Sequence, residues 1–300
     1  MATALLHEDC RPGRICDHYS GVCHGTLGEL FQGPYDDGGV TQIAIISLPI
    51  RRYSWAHFEA GVPGDLDAET ADRPRCRRAI ELFQAHHGRV MPEGRWSFAS
   101  ELPRGKGMAS STADIVATIR CLDALHGTDS RELVPVILRA IERSDSVFLT
   151  EHALYLSGAQ QLVRSLPDNP GFHVCYLDDG GTIDTEAVTD RLLDHYDALR
   201  NDYARILDTM LEAFQRCDLI AIAAAATRSA ALAQKVTPKR AFTALDAERE
   251  RFGADGIVVA HTGSLIGYLF ADRPDPRRLG ELAAFYRSLG HQCSCVRTGF

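Results

Sequence analysis

The residues best equipped for chemistry lie in one run, Pro103-Arg104-Gly105-Lys106-Gly107-Met108-Ala109-Ser110-Ser111-Thr112. Gly105 and Gly107 permit a tight turn and let the backbone approach a ligand with no Cβ in the way. Ser110, Ser111 and Thr112 follow, where the pattern predicts the start of a helix. A helix start offers unpaired N–H groups and the positive end of the peptide dipole, which together suit a phosphate. The three hydroxyls add donors to phosphate oxygens or ligands for Mg²⁺. The same run also fits a plainer reading, since Ser111 and Asp114 match the capping pattern of an ordinary helix. Two familiar phosphate loops are excluded. Ser100 stands where a Walker A loop needs its first glycine, and Ser110 where a dinucleotide fingerprint needs its third.

A second run, Ile141-Glu142-Arg143-Ser144-Asp145-Ser146, places two carboxylates three residues apart, just past a predicted helix. Phosphoryl transfer depends mainly on positioning and charge neutralisation. One carboxylate can orient or deprotonate an acceptor hydroxyl, and another can hold Mg²⁺ beside the phosphates. A solvated acidic pair at a helix end is the alternative. Lys106 either reaches a phosphate or points to solvent. His261, Thr262 and Gly263 follow a buried-type strand (GIVVAH) and are expected to face the same cleft, although His261 reads equally well as a structural histidine. An amino-acid substrate would need a cation for its carboxylate, and Arg104, Arg143 and Arg297 are the candidates.

The elements that must position these groups follow from periodicity. Residues 39–50 and 51–59 read as two strands, and 96–101 as a short one running into the loop. Residues 61–74 read as a loop and 76–86 as a helix. In 109–125, Ile115, Ile119 and Leu122 share one helix face, and Gly127 marks its end. Residues 133–142 form a second helix. Past the turn Pro167-Asp168-Asn169-Pro170-Gly171 come a strand at 172–177, one long helix at 201–226, the strand before His261 and a last helix at 279–289. Strands and helices interleave without strict alternation, which favours α+β over a doubly wound parallel sheet.

The bulk properties narrow the function. Three hundred residues suffice for a sizeable core. A formal charge of −8 argues against general nucleic-acid binding, which needs a basic surface. The longest apolar stretch, Leu219 to Ala226, is far too short to span a bilayer, and the first fifteen residues hold no apolar signal core. A cytoplasmic protein without membrane partners is expected. The nine cysteines are scattered. Cys10, Cys16, Cys23 and His24, joined by Cys293 and Cys295, could form a zinc site, but the paired C-x₂-C spacing of structural zinc is missing, so reduced free thiols are expected instead.

The loop at 103–112 resembles the P-x-x-x-G-[LM]-x-S-S-[AT] signature of the GHMP kinases, the family named for galactokinase, homoserine kinase, mevalonate kinase and phosphomevalonate kinase. Pro103, Gly107, Met108, Ser110, Ser111 and Thr112 fill every fixed position. Gly28-Glu29-Leu30-Phe31-Gln32-Gly33 resembles the family's N-terminal motif, and residues 256–267 its C-terminal glycine-rich motif. The combination is similar to the threonine-kinase group within the family, whose E-P-[ST]-D segment is matched at 142–145 with Arg143 in place of proline. The resemblance spans roughly Val22 to Gly267 and leaves the first eighteen residues without a counterpart.

The resemblance implies ATP and Mg²⁺, and a hydroxy amino acid such as L-threonine as acceptor. Pro103 and Gly105 to Thr112 would bind nucleotide, Ser111 and Glu142 the metal, and Glu29, Gln32, His261, Thr262 and Gly263 the acceptor. Asp145 would be the catalytic base or a substrate contact. The implied fold is the two-domain GHMP arrangement, with a ribosomal-S5-like domain at 1–168 and a ferredoxin-like domain at 169–300. Another hydroxyl acceptor, such as homoserine or a specialised metabolite, stays open, as does a catalytically silent ligand-binding regulator.

Overall fold

The computed structural model describes residues 17–166, 171–181 and 189–300. The chain opens with two long antiparallel strands, β1 (His18–Asp37) and β2 (Val40–Ala60), joined at Gly38-Gly39. β2 is one strand where two were expected, because β1 pairs with it along nearly its whole length and carries it past Arg51 and Arg52. The expected loop at 61–74 holds a short helix, α1 (Leu66–Glu69), capped by the Asp65 carboxylate. Then follow α2 (Pro74–His87), β3 (Gly94–Ser100), α3 (Ser110–His126), α4 (Leu133–Ile141), β4 (Ala153–Leu156) and β5 (Gln161–Ser165). The turn expected at 167–171 falls almost wholly outside the described residues.

After it come β6 (His173–Asp178), α5 (Thr189–Ala198), α6 (Arg200–Gln215), α7 (Leu219–Ala233), α8 (Phe242–Glu248), β7 (Gly256–Val259), β8 (Leu265–Phe270), α9 (Pro276–Ser288) and β9 (Ser294–Arg297). The single helix expected over 201–226 is two. Cys217 takes a left-handed φ of 55°, and the Asp218 carboxylate then caps α7 by accepting from the Ala221 N–H.

Among the described residues all nine strands join one sheet in the order β5-β4-β2-β1-β7-β8-β6-β9, with β3 also pairing β2. The strands before residue 167 form one half and those after 171 the other. Among the described residues the named strands of the two halves pair at Glu29 opposite Val259, and an isolated antiparallel bridge joins Ile50 to Thr298. On that segregation we propose a division at 168/169. The main buried cluster nevertheless draws on both sides, from Cys23 and Phe31 to Tyr203, Phe214 and Leu269. A second cluster, including Cys175, Leu245, Tyr268, Leu282 and Tyr286, lies under α8 and α9. No helix among the described residues is long and apolar enough to cross a membrane.

Candidate active site

The three segments singled out by residue type meet in one place. The Thr26 and Gly28 N–H groups on β1 donate to the carbonyls of Met108 and Gly107, each at 3.1 Å, and lay the glycine loop along β1. From the other half, the Ser264 N–H donates to the Lys106 carbonyl at 3.1 Å. Gly107 has φ +90°, and a Cβ there would stand 2.2 Å from that of Ala260, so only glycine lets the loop lie this close to the turn after β7.

The loop enters α3 through Ala109, whose φ of 54° is left-handed, and no side chain caps the helix. Ser111 is therefore not a capping residue. The proposed partner, Asp114, instead accepts from the Ser54 hydroxyl inside the protein. A left-handed alanine costs about 1–2 kcal/mol. Uncapped N–H groups beside such an entry are suited to an anion.

A cleft of about 190 Å³ opens over this helix end. Its walls include Gly105, Gly107, Met108, Ala109, Ser110, Ser111, Thr112, Glu142, Asp145, Glu29, Gln32 and Thr262 from the sequence reading, together with Arg75 and Arg143. α4 ends at Ile141, and Glu142 is fully extended, which turns 142–145 toward the cleft. The Ser111 and Thr112 hydroxyls donate to the two oxygens of Glu142, each at 3.0 Å. The Arg75 guanidinium lies 2.8 Å from Glu142 Oε2 and donates to Ser111 Oγ at 3.0 Å. Burial raises the Glu142 pKa, and Arg75 and the hydroxyls oppose the rise. Ser111 and Glu142 thus offer hard oxygen donors side by side, with a positive group already drawn between them. This donor set fits Mg²⁺.

Deeper in, Ser47 Oγ donates to Asp145 Oδ1 at 3.2 Å. Burial, reinforced by the nearby Glu29 charge, pushes the Asp145 carboxyl up to about 7. Glu29 is held from behind: the N–H and ring Nδ1 of His261 lie 3.0 and 2.9 Å from its Oε2. His261 is 1% exposed, and its Nε2 faces Ser229 Oγ at 3.5 Å. Neither His261 nor Gly263 lines the cleft; His261 stands behind its wall. Gln32 donates to the Tyr196 hydroxyl at 2.9 Å. Lys106, partly exposed, does not line the cleft. Its Nζ pairs with Asp178 Oδ2 at 2.9 Å. Burial opposes ionisation of Asp178, but the donors Ser264 and Lys106 prevail and lower its pKa. Pro103 precedes the loop without lining the cleft.

The three candidate arginines separate cleanly. Arg297 is exposed on β9. Arg104 donates to the backbone and side chain of Asp72 at 2.9 and 3.1 Å. Of the three, Arg143 alone lines the cleft, and its buried Nη1 has no hydrogen-bond partner among the described residues. Burial lowers its pKa, against the charges of Tyr196, Asp145 and Glu29. A second cleft of about 360 Å³ adjoins the first, shares Arg75, Gly105, Ser110 and Ser111 with it, and extends over Asp72, Arg73, Arg104 and Asp114.

Sequence reasoning missed Arg75, Ser47 and the buried Lys239. Burial holds the Lys239 ammonium at about 8, against the attraction of Glu29 and Asp179. Arg75 sits in a basic run, Arg73 to Arg78, whose several arginines gave no reason to choose one. Ser47 is one serine in an apolar strand.

Comparison with known proteins agrees with this geometry. Residues 75–148 match the GHMP kinases N terminal domain. An L-threonine kinase of Salmonella typhimurium is 30% identical over 273 residues, covering 87% of this chain and 86% of that protein. An L-threonine kinase of Citrobacter freundii is 29% identical over 258 residues, covering 84% and 85%. Two solved structures share the fold. The L. major mevalonate kinase in complex with R-mevalonate superimposes with a TM-score of 0.68 at 16% identity, over 96% of this chain and 98% of that one. Homoserine kinase from Cytophaga hutchinsonii gives 0.68 at 11% identity, over 98% and 97%. The α+β GHMP arrangement expected from the motifs is the observed fold. An uncapped helix end opening on a cleft, two half-buried carboxylates lining it and a relative matched over most of its length lead to one conclusion: the chain belongs to the GHMP kinase family and is an ATP-dependent phosphotransferase with a hydroxyl acceptor.

Proposed function

We propose that the acceptor is the side-chain hydroxyl of L-threonine or of a hydroxy amino acid close to it in size. The observation that carries this reading is Arg143: a guanidinium in the acceptor end of the cleft, with a buried Nη1 lacking a partner among the described residues, beside the raised carboxyl of Asp145. A buried donor without a partner is costly, and an acceptor carboxylate would remove that cost. Glu29, across the wall, would take the ammonium group, with Gln32 and Thr262 completing the pocket. The matched relatives named L-threonine kinase support the same acceptor.

In this reading the backbone N–H groups of Gly105 to Thr112 receive the β- and γ-phosphates, and the second cleft takes the nucleoside. Asp145 in its ionised form accepts the hydroxyl proton as the acceptor oxygen bonds to the γ-phosphorus. The bond from that phosphorus to the β-phosphate oxygen breaks, and ADP leaves. Ser111 and Glu142 would hold Mg²⁺, which neutralises charge on the β- and γ-phosphates when bound. Arg75, released from Glu142, is then free to face the phosphates. The free thiols among the described cysteines suit the reducing cytoplasm in which we place the enzyme.

The test is ADP release across a panel of L-threonine, L-serine, L-homoserine and L-threonine methyl ester. Threonine should give the highest kcat/KM, and the ester, lacking the carboxylate charge, should fall by about 30-fold or more. Equal turnover of ester and acid would remove Arg143 from the acceptor site. A preference for homoserine would reassign the acceptor, and no ADP with any acceptor despite ATP binding would favour a regulator.

A further inference from the structure

Away from the phosphate site, the Sγ atoms of Cys175, Cys293 and Cys295 all lie within 4.8 Å of one another. The sheet brings them together. Cys175 on β6 is directly opposite Cys295 on β9, and Cys293, just ahead of β9 and two residues before Cys295, brings its sulfur to the same group. Cys175 Sγ and Cys295 Sγ are 3.1 Å apart. Cys175 is buried against the cluster of Leu282 and Tyr286, Cys293 is half-buried and Cys295 is exposed. The group therefore has a closed floor and an open mouth. Sequence order hides it, since Cys175 lies far from the C-x-C pair at 293 and 295. Cys23, the partner considered from sequence, directs its thiol to the carbonyls of His24 and Val147, and Cys10 and Cys16 lie outside the described residues.

We propose that Cys175, Cys293 and Cys295 form a three-thiolate site for a zinc(II) ion, with the fourth position open to water beside Cys295. An all-sulfur donor set selects thiophilic ions and rejects Mg²⁺. Three sulfurs at the usual zinc–sulfur length of about 2.3 Å stand roughly 4 Å apart. Rotation about the Cα–Cβ bonds of Cys175 and Cys295 opens the close pair to that spacing without moving the strands. His291, two residues before Cys293, is not a fourth ligand, because its Nε2 faces Asp179 Oδ1 at 3.8 Å. Binding converts three thiols to thiolates and releases their protons to solvent. In a reducing compartment such a trio holds a metal more readily than it forms a disulfide. The ion would act as a staple. β9 is the sheet's edge strand, paired among the described strands with β6. It leads into Thr298, whose N–H donates to the Phe172 carbonyl, and into Phe300, whose carbonyl accepts from Arg51.

The test uses the full chain, reduced, stripped with a chelator, desalted and titrated with Zn(II), with Cd(II) as a spectroscopic stand-in. One ion per chain should bind, three thiols should become protected from thiol reagents, and cadmium should give a thiolate charge-transfer band in the ultraviolet. Thermal unfolding should shift upward with zinc. C293S and C295S, at positions open enough to fold, should each weaken binding by about 100-fold or more and remove the thermal shift. C217S, a surface change outside the trio, should alter neither. No binding at equimolar zinc, or binding undiminished in the C293S/C295S double variant, overturns the site. Turnover by the zinc-free enzyme should be unchanged, which separates this proposal from the kinase reading.

Discussion

Replacing Asp145 by asparagine tests the proposed base through two independent readouts. The carboxyl is raised from 3.8 to about 7 by burial and by Glu29. In the free enzyme the ionised, proton-accepting form therefore becomes dominant only above about pH 7, so kcat/KM should climb through that region and level off beyond it. The asparagine amide keeps the shape and the contact with Ser47 but accepts no proton, and loss of a positioned base lowers kcat by roughly 10²–10⁴-fold. The stability effect has the opposite sign. Because the folded pKa lies above the unfolded one, the native state binds the proton more tightly, and the wild type loses stability as pH rises from about 4 through about 7. Each pH unit of that rise corresponds to about 1.4 kcal/mol, so the ceiling is roughly 4 kcal/mol. Asp145→Asn should remove most of this loss and be more stable than wild type at pH 8, though far less active. Steady-state kinetics from pH 5.5 to 8.5 and urea unfolding at pH 5 and 8 measure both. A flat wild-type kcat/KM profile, or a variant within a few-fold of wild type that keeps the same acidic limb, would refute the reasoning.

Ser111→Ala should lower kcat strongly, by about 10-fold or more, with thermal unfolding near that of wild type; a loss of less than a few-fold in kinetics at saturating Mg²⁺ would remove Ser111 from the metal shell. Arg143→Gln should raise KM for L-threonine by about 30-fold, from loss of one charge-assisted contact of about 2 kcal/mol, while KM for ATP stays within two-fold. Gly107→Ala places a Cβ against Ala260 at a φ of +90°, and should cost about 2–4 kcal/mol in urea unfolding and abolish calorimetric binding of Mg·ATP.

What the sequence revealed was local chemistry. Loop 103–112 carries its glycines, its hydroxyls and its helix start within ten consecutive residues, so a candidate phosphate site could be picked out without knowing what lay around it. The partners that tune it could not. Arg75 reaches Glu142 and Ser47 reaches Asp145 only through the packing of α2, α4 and β2, and nothing in their neighbouring residues signals those contacts. β1 escaped strand prediction because glycines interrupt its alternation. At Gly21 a Cβ would stand 2.0 Å from the Ala117 carbonyl oxygen, so the glycine is there to let α3 lie against the strand, and the packing need overrides the strand pattern. The false continuity of α6 and α7 arose the other way. Both are apolar at helical spacing, and the break rests on the backbone of Cys217, which side-chain periodicity does not report.

Glu29 occupies an unusual double office. Its backbone is the one described rung that ties β1 to β7, while the residue also lines the cleft, in the wall proposed for the acceptor. Altering this residue to admit a new acceptor would disturb the seam between the two halves of the sheet at the same stroke. Evolution of a different preference has an easier route through Arg143, which lines the same cleft and whose Nη1 has no hydrogen-bond partner among the described residues.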